Sequence, residues 1–342
     1  MLVVLGAIAF AIGSLPGLGD VRHRLAEASP GWLALAFVLE IGSCLAGVVA
    51  FRGVFCRRLP WRLSYDIGIA AQATNVLLPS GGAGGLALAA WALRRTGMQP
   101  ERIARRTVAF YILTSGVNFA TAALAGGLLA LGILAGGGAL AATALPALAA
   151  ALVIAGVLAL PRILRSDAAR RQPSGGRVGR ILAWVRGALG DGVRDAVALA
   201  RSGDPQVVGG AIAFMALDVA ALAAAFAALG SLPPVGVLLL AYVIGQLGGL
   251  IPLPGGVGGA DGGLIAALVL YGTPLSGAAA AVLAYRAFQL GLPAVLGGIA
   301  ITRLPGIVER APDTGPLCEP RPDAARRGQG SAGLPTRAAA AM

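Results

Sequence analysis

Lysine is absent from all 342 residues, histidine occurs once and cysteine three times. Without lysine there is no Schiff-base amine, and a single histidine excludes an HExxH zinc helix or any clustered-histidine metal centre. His23 sits in a polar stretch with Asp20, Arg22, Arg24 and Glu27, the setting of a solvated loop residue. Cys44, Cys56 and Cys318 form an odd set without CxxC spacing, so neither a disulfide framework nor a cysteine metal cluster follows. No serine stands in a Gly-x-Ser-x-Gly nucleophile elbow. A hydrolase built on carboxylates alone is the one enzymatic chemistry left open. The expectation is a protein that is not an enzyme, with no metal and no cofactor.

Charge is also scarce, at 12% of residues, while 57% are hydrophobic and the mean hydropathy is +0.81. That balance excludes an ordinary soluble domain and gives a polytopic membrane protein. All 27 basic residues are arginine and the net charge is +12. The arginines lie in the short segments between apolar runs and in the tail. This is the pattern of the positive-inside rule, so nucleic acid is not an expected partner. Met1 to Leu18 lacks a basic leader region and an Ala-x-Ala site, and reads as a short first membrane helix rather than a secretory signal.

Gly31 to Phe55 is long enough to span, since a bilayer core needs ~20 apolar residues. Arg52, Arg57, Arg58 and Arg62 then mark a cytoplasmic loop, whereas the charge-balanced Gly19 to Pro30 loop lies outside. Leu63 to Leu78 and Gly85 to Leu93 are each too short to cross, with Pro79 and four glycines between them, and fit a re-entrant hairpin. Arg94, Arg95, Arg102, Arg105 and Arg106 return the chain to the cytoplasm. Thr107 to Leu134 and Ala141 to Leu160 are spans around an outer Gly136-Gly137-Gly138 turn. Pro161 to Gln206 is a basic cytoplasmic linker. Within it Val178, Ile181, Leu182, Val185, Leu189, Val193 and Val197 recur at helical spacing. That helix either lies along the inner leaflet with its arginines on anionic headgroups or caps the bundle as a solvated linker.

After the Val207 to Ala228 span the pattern begins again. Gln72-Ala-Thr-Asn-Val-Leu-Leu-Pro-Ser-Gly-Gly-Ala-Gly-Gly is echoed 174 positions later from Gln246, with Gly81, Gly82, Gly84 and Gly85 falling on Gly255, Gly256, Gly258 and Gly259. Val235 to Ile251 enters, Pro252 to Gly259 breaks the helix, Gly263 to Tyr271 leaves, and Leu275 to Ile301 crosses. The Gly272 to Ser276 loop of this copy carries no charge where the first copy is rich in arginine. The two copies therefore point in opposite directions, the signature of inverted-topology repeats with a site near the midplane.

A helix that begins inside the membrane presents unpaired N–H groups and the positive end of its dipole, a natural seat for phosphate or carboxylate. Gly81, Gly82, Gly84, Gly255, Gly256 and Gly258 are thus candidates for substrate binding. The alternative is that they only let helices approach closely. Ionisable residues within the bilayer are functional candidates by default. Glu40 and Asp218 occupy similar places in the span before each repeat. Arg286 lies in the last span, and Asp261 begins the second half-helix, where an acid also serves as a cap. Arg286 is a counter-ion to Asp261 or Asp218, or a headgroup clamp. The four charges are expected in one water-accessible cavity.

At these residues the chain resembles the transmembrane region of lysylphosphatidylglycerol synthases, a family of flippase-like membrane proteins, over most of Leu33 to Ile301. The resemblance rests on Pro252 to Gly258 as Pro-x-Pro-Gly-Gly-x-Gly, followed by Asp261 and the Tyr285-Arg286 pair. Asp261 stands where glutamate is usual. Pro79-Ser80-Gly81-Gly82-Ala83-Gly84-Gly85 replaces the Pro-Gly-Arg-x-Gly-Glu of many members, so that arginine and glutamate are missing. The resemblance implies lipid flipping rather than lipid aminoacylation, because the segment after Leu304 is too short for a synthetase domain.

The expected fold is all-α, a polytopic membrane helix bundle with inverted-topology repeats and two broken, re-entrant helix hairpins. A transmembrane domain fills 1–303, with repeats near 31–134 and 207–302, the linker at 161–206, and a disordered tail at 304–342. The expected function is movement of an anionic or zwitterionic lipid, or a lipid-linked headgroup, between leaflets of the inner (plasma) membrane, with both termini cytoplasmic. The expected partners are that phospholipid or lipid-linked substrate and anionic inner-leaflet lipids, with a partner enzyme or a homo-oligomer also open. The alternatives are an anchor for a lipid-modifying enzyme or glycosyltransferase, and a secondary transporter of a small solute.

Overall fold

The computed structural model describes residues 19–78, 82–136, 139–170, 176–248, 258–311 and 318. Among these residues there are eleven helices and no strand. In chain order they are α1 (Gly19–Ala26), α2 (Pro30–Phe55), α3 (Trp61–Leu77), α4 (Ala83–Arg95), α5 (Pro100–Ala130), α6 (Leu140–Arg170) and α7 (Arg177–Arg201). After a π-helical turn at Pro205–Gly209 come α8 (Gly210–Ala228), α9 (Val235–Gly248), α10 (Gly259–Leu270) and α11 (Leu275–Arg310). Five segments are long and apolar enough to cross a membrane: Pro30–Phe55, Pro100–Ala130, Leu140–Leu164, Pro205–Ala228 and Leu275–Arg310. The chain is an integral, multi-pass membrane protein.

The helix starts follow local chemistry. Pro30 and Pro100 stand in the first turn of α2 and α5, where the missing N–H would be unpaired in any case. Asp204 accepts from the Gln206 N–H at 2.9 Å ahead of the π turn. At α4 and α10 the residue before the helix is a glycine with positive φ, Gly82 at +91° and Gly258 at +93°. A side chain there would strain the backbone, so each short helix can start inside the bundle only behind a glycine.

Packing crosses over between the two halves of the chain. α2 lies along α8, α3 packs on α11, and α9 packs on α5. Each broken arm therefore leans on the long last helix of the other half. Small residues permit this: a Cβ on Gly297 would lie 2.3 Å from Ala73 Cβ and 2.4 Å from the Ile69 carbonyl. Each arm also folds back on itself, with α3 against α4 and α9 against α10. A Cβ on Gly248 would sit 2.1 Å from the Gly259 carbonyl oxygen. One hydrophobic core gathers Phe51, Phe55, Ile67, Leu93 and Leu304, and a second gathers Phe226, Leu240, Leu268 and Tyr285.

Several expectations change. The Gly19 to Pro30 stretch is not all loop, because Val21 is buried and α1 docks on α11. The last helix runs past Arg303 to Arg310 with Leu304 and Val308 buried, so the tail does not begin at 304. Apolar side chains at that spacing suffice to carry a helix through Pro305. Cys56 and Cys318 form a disulfide, with Cys44 buried as a free thiol. Their separation of 262 residues gave no spacing to read. Met1 to Leu18, Pro79 to Gly81, Gly249 to Val257 and most of the tail lie outside the described residues.

Candidate functional site

The second half-helix, α10, starts beside a group of charges inside the bundle. Asp261 does two things at once: its Oδ2 accepts the Gly258 N–H at 3.3 Å, capping α10, and its Oδ1 forms an ion pair with Arg286 Nε of α11. Of the two acids open to it from the sequence, Arg286 thus takes Asp261. Both side chains are mostly withdrawn from the surface, Arg286 at 12% and Asp261 at 21% exposure. Arg286 also donates to the Gln289 Oε1, one turn further along α11, where an i,i+3 pair shares a face.

Gln289 leads from this pair to Asp218 of α8. Its Nε2 lies 3.2 Å from Asp218 Oδ2 and also donates to the Tyr285 hydroxyl. The Tyr285 hydroxyl donates to Asp218 Oδ1 at 2.6 Å. From α9, the Tyr242 hydroxyl donates to Asp218 Oδ2 at 2.5 Å while accepting from Gln246 Nε2 at 2.6 Å. Asp218 is therefore a buried carboxylate held by two hydroxyls and an amide, and donors of this kind offset the loss of water. Glu40 of α2 comes against Asp218, is buried to 3% exposure, and has an Oε2 without a partner.

The first break is built differently. The Gly85 N–H donates to Asn75 Oδ1 at 2.8 Å, and the Tyr111 hydroxyl of α5 meets Asn75 and lies 3.7 Å from where a Gly82 Cβ would stand. Tyr111 is 174 positions before Tyr285. A neutral amide and hydroxyl thus stand at the first half-helix where an ion pair stands at the second. α4 packs on α3 and α5, and α10 packs on α9 and α11.

Glu40, Asp218, Asp261 and Arg286 thus belong to one connected cluster. Gly82 and Gly258 are the turns that open the half-helices, and Gly84 is a half-buried position inside α4. Gly81, Gly255 and Gly256 lie outside the described residues. Tyr242, Gln246, Gln289 and Asn75 were not singled out from the sequence. The signal available was a Tyr-x-x-x-Gln spacing on both α9 and α11, which puts hydroxyl and amide on one helix face. Both breaks that would bound the expected cavity lie outside the described residues, and what is described beside them is narrow. The void between Tyr242, Gln246, Ala260, Leu264, Arg286 and Gln289 is about 10 Å³, at the lower limit for a single water. Tyr242, Gln246, Tyr285 and Gln289 reach across it to one another and to Asp218. A larger cavity of about 410 Å³, large enough for a headgroup, lies at the end of α4 beside Trp91, Arg94, Arg95 and Glu309.

The cluster can hold an anion on Arg286 if Asp261 gives way, and it can store charge on its acids. The family model described as the lysylphosphatidylglycerol synthase TM region matches residues 1–297. No curated protein matches the chain.

Proposed function

Because this chain belongs to the lysylphosphatidylglycerol synthase transmembrane-region family, we propose that it moves an anionic or zwitterionic lipid, or a lipid-linked headgroup, between leaflets. The observation that carries this reading is the Asp261–Arg286 ion pair at the start of α10. A guanidinium inside an apolar helix, paired with an acid that also caps a half-helix, is a phosphate site held shut by an internal carboxylate. A headgroup phosphate replaces Asp261 on Arg286 and meets the N–H groups that the cap releases. The arginine-lined cavity at the end of α4 supplies a waiting place for the headgroup at the face we assign to the cytoplasm. The crossed packing of the two halves, α3 on α11 and α9 on α5, supports an inverted repeat and a rocking motion of one arm against the other. The arginine distribution supports cytoplasmic placement of both termini, as in a protein of the plasma membrane.

The test is reconstitution of the full chain in vesicles containing phosphatidylglycerol with a fluorescent headgroup, bleached from outside with dithionite. We expect the protein to expose the inner-leaflet probe and Arg286→Ala to lose most of that activity. Vesicles with folded wild-type protein that bleach no further than empty ones would overturn the reading.

A second reading is favoured by the narrow void at the cluster and by α7, where Ile181, Leu182, Trp184 and Val185 are exposed on one turn and a half of helix. A bundle that never opens serves as an anchor for a lipid-modifying enzyme or glycosyltransferase, with α7 along the inner leaflet. Co-purification of an enzyme in stoichiometric amount, with no lipid movement, is its signature.

A further inference from the structure

We infer that Glu40 and Asp218 form a proton-binding site, and that lipid movement by this protein is coupled to the release and uptake of that proton. The inference rests on the lipid-moving reading above and names what drives it. Asp218 receives three donors, with room for one more: the hydroxyls of Tyr285 and Tyr242 and the amide of Gln289 all point at its oxygens. It is therefore the ionised member. Glu40 approaches it from α2, 3% exposed, with no donor on Oε2. Two carboxylates cannot meet in a dry core without a proton between them, so Glu40 carries it and donates to Asp218.

The surrounding charges agree. Cys44 faces the pair from α2 itself, Tyr242 from α9, and Tyr285 and Arg286 from α11, while α3 contributes only the Gln72 amide, donated to the Cys44 carbonyl. With Asp261, three acids stand around one guanidinium, and that guanidinium is already paired. A proton fits this site better than a metal cation, because Asp218 already receives two tyrosine hydroxyls and an amide, which would have to turn away to admit a cation's oxygen ligands.

Coupling follows from the same contacts. When the proton leaves Glu40 for water, two adjacent carboxylates remain. Arg286, joined to them through Gln289, is the cation that can turn toward them from a bound headgroup. That moves the positive charge out of the headgroup position, releasing the lipid. Reprotonation of Glu40 sends Arg286 back.

Two measurements separate this inference from the reading beneath it. Infrared difference spectra of the purified full chain across a pH titration should show a buried carboxylic-acid carbonyl band at neutral pH that disappears in Glu40→Gln and shifts in Asp218→Asn. A spectrum in which neither variant changes any acid band overturns the site, and the wild-type titration stands even if one variant fails to fold. In vesicles, a pH gradient should drive fluorescent phosphatidylglycerol toward one leaflet, by about tenfold per pH unit for one proton per lipid. Lipid movement indifferent to a pH gradient overturns the coupling while leaving the lipid reading intact. Movement driven by a sodium gradient instead overturns the proton assignment. An acid band with no lipid movement leaves the proton site standing and removes the transport reading.

Discussion

At the scale of the residue, what stands out is how few charges the core contains and how completely they constrain one another. Arg286 is the only counter-ion shown for Asp261, so Arg286→Ala leaves a carboxylate at the start of α10 with its cap alone. Breaking such a pair from one side costs about 3 kcal/mol, the low end of the buried range, because both partners keep some exposure. The double variant Arg286→Ala with Asp261→Asn should be more stable than the single one, since the orphaned charge is gone. Thermal unfolding of the detergent-solubilised protein measures this, and equal losses in both variants would show that the pair is not coupled. Gly82 makes a second residue-scale case. At φ +91°, Gly82→Val forces a β-branched residue into the left-handed region, at a cost of roughly 1–3 kcal/mol, and covers the amides at the start of α4. Correct insertion with loss of lipid movement is the expected result. Full activity of Gly82→Val in vesicles would mean that the first break is not part of the site.

At the scale of the element, the two broken arms show why short apolar segments stay in the bundle. α3, α4, α9 and α10 are each too short to span the bilayer, and each arm is held by close backbone contact rather than by length. The contact of α3 with α11 depends on Gly297, whose place has no room for even a methyl group. Gly297→Val should separate the two helices at Ala73 and Ile69 and destabilise the fold by about 1–3 kcal/mol through overpacking. The neighbouring Gly298→Val, with no atom within 4 Å of its Cβ, serves as the control. Comparable melting temperatures for the two variants would contradict this account of the packing. The existence of these elements was legible, because proline and paired glycines interrupt apolar runs. Their bounds were less so: α10 begins at Gly259 rather than Gly263, since the helix starts as soon as the last positive-φ glycine is passed.

At the scale of the whole molecule, orientation and the disulfide pull in opposite directions. Arg57, Arg58 and Arg62 beside Cys56 place that loop in the cytoplasm by charge, while a lasting disulfide belongs to oxidising compartments. We expect the arginines to decide orientation and the Cys56–Cys318 pair to be reduced in growing cells. Acid-trapped cells probed with a membrane-permeant maleimide should therefore show both thiols free, and a cysteine placed at Thr273 should react with an impermeant reagent from outside. Oxidised Cys56 in trapped cells, together with labelling of position 273 only from the cytoplasmic side, would reverse the assigned topology. The opposed Arg94 to Arg106 and Gly272 to Ser276 loops would then still be on opposite faces, but with inside and outside exchanged.

The sequence by itself determined that this is a membrane protein of helices, because its apolar runs are long and continuous, as helices in lipid require, rather than alternating as in the strands of a barrel. It also determined where the helices break, since proline and glycine act locally on the residues that carry them, and which family the chain belongs to, through Pro252 to Gly258, Asp261 and Tyr285-Arg286. It pointed to Glu40, Asp218, Asp261 and Arg286 because a charge in an apolar run is conspicuous without any knowledge of its neighbours. Only the tertiary structure decided how those charges pair. Arg286 chooses Asp261 over Asp218, and Tyr242, Tyr285 and Gln289 close on Asp218, through contacts between helices far apart in the chain. The same holds for the narrow void beside Gln246 and Gln289 and for the disulfide. Hydrogen bonds, ion pairs and packed volume depend on distances across the bundle, and no local pattern of residues encodes those distances.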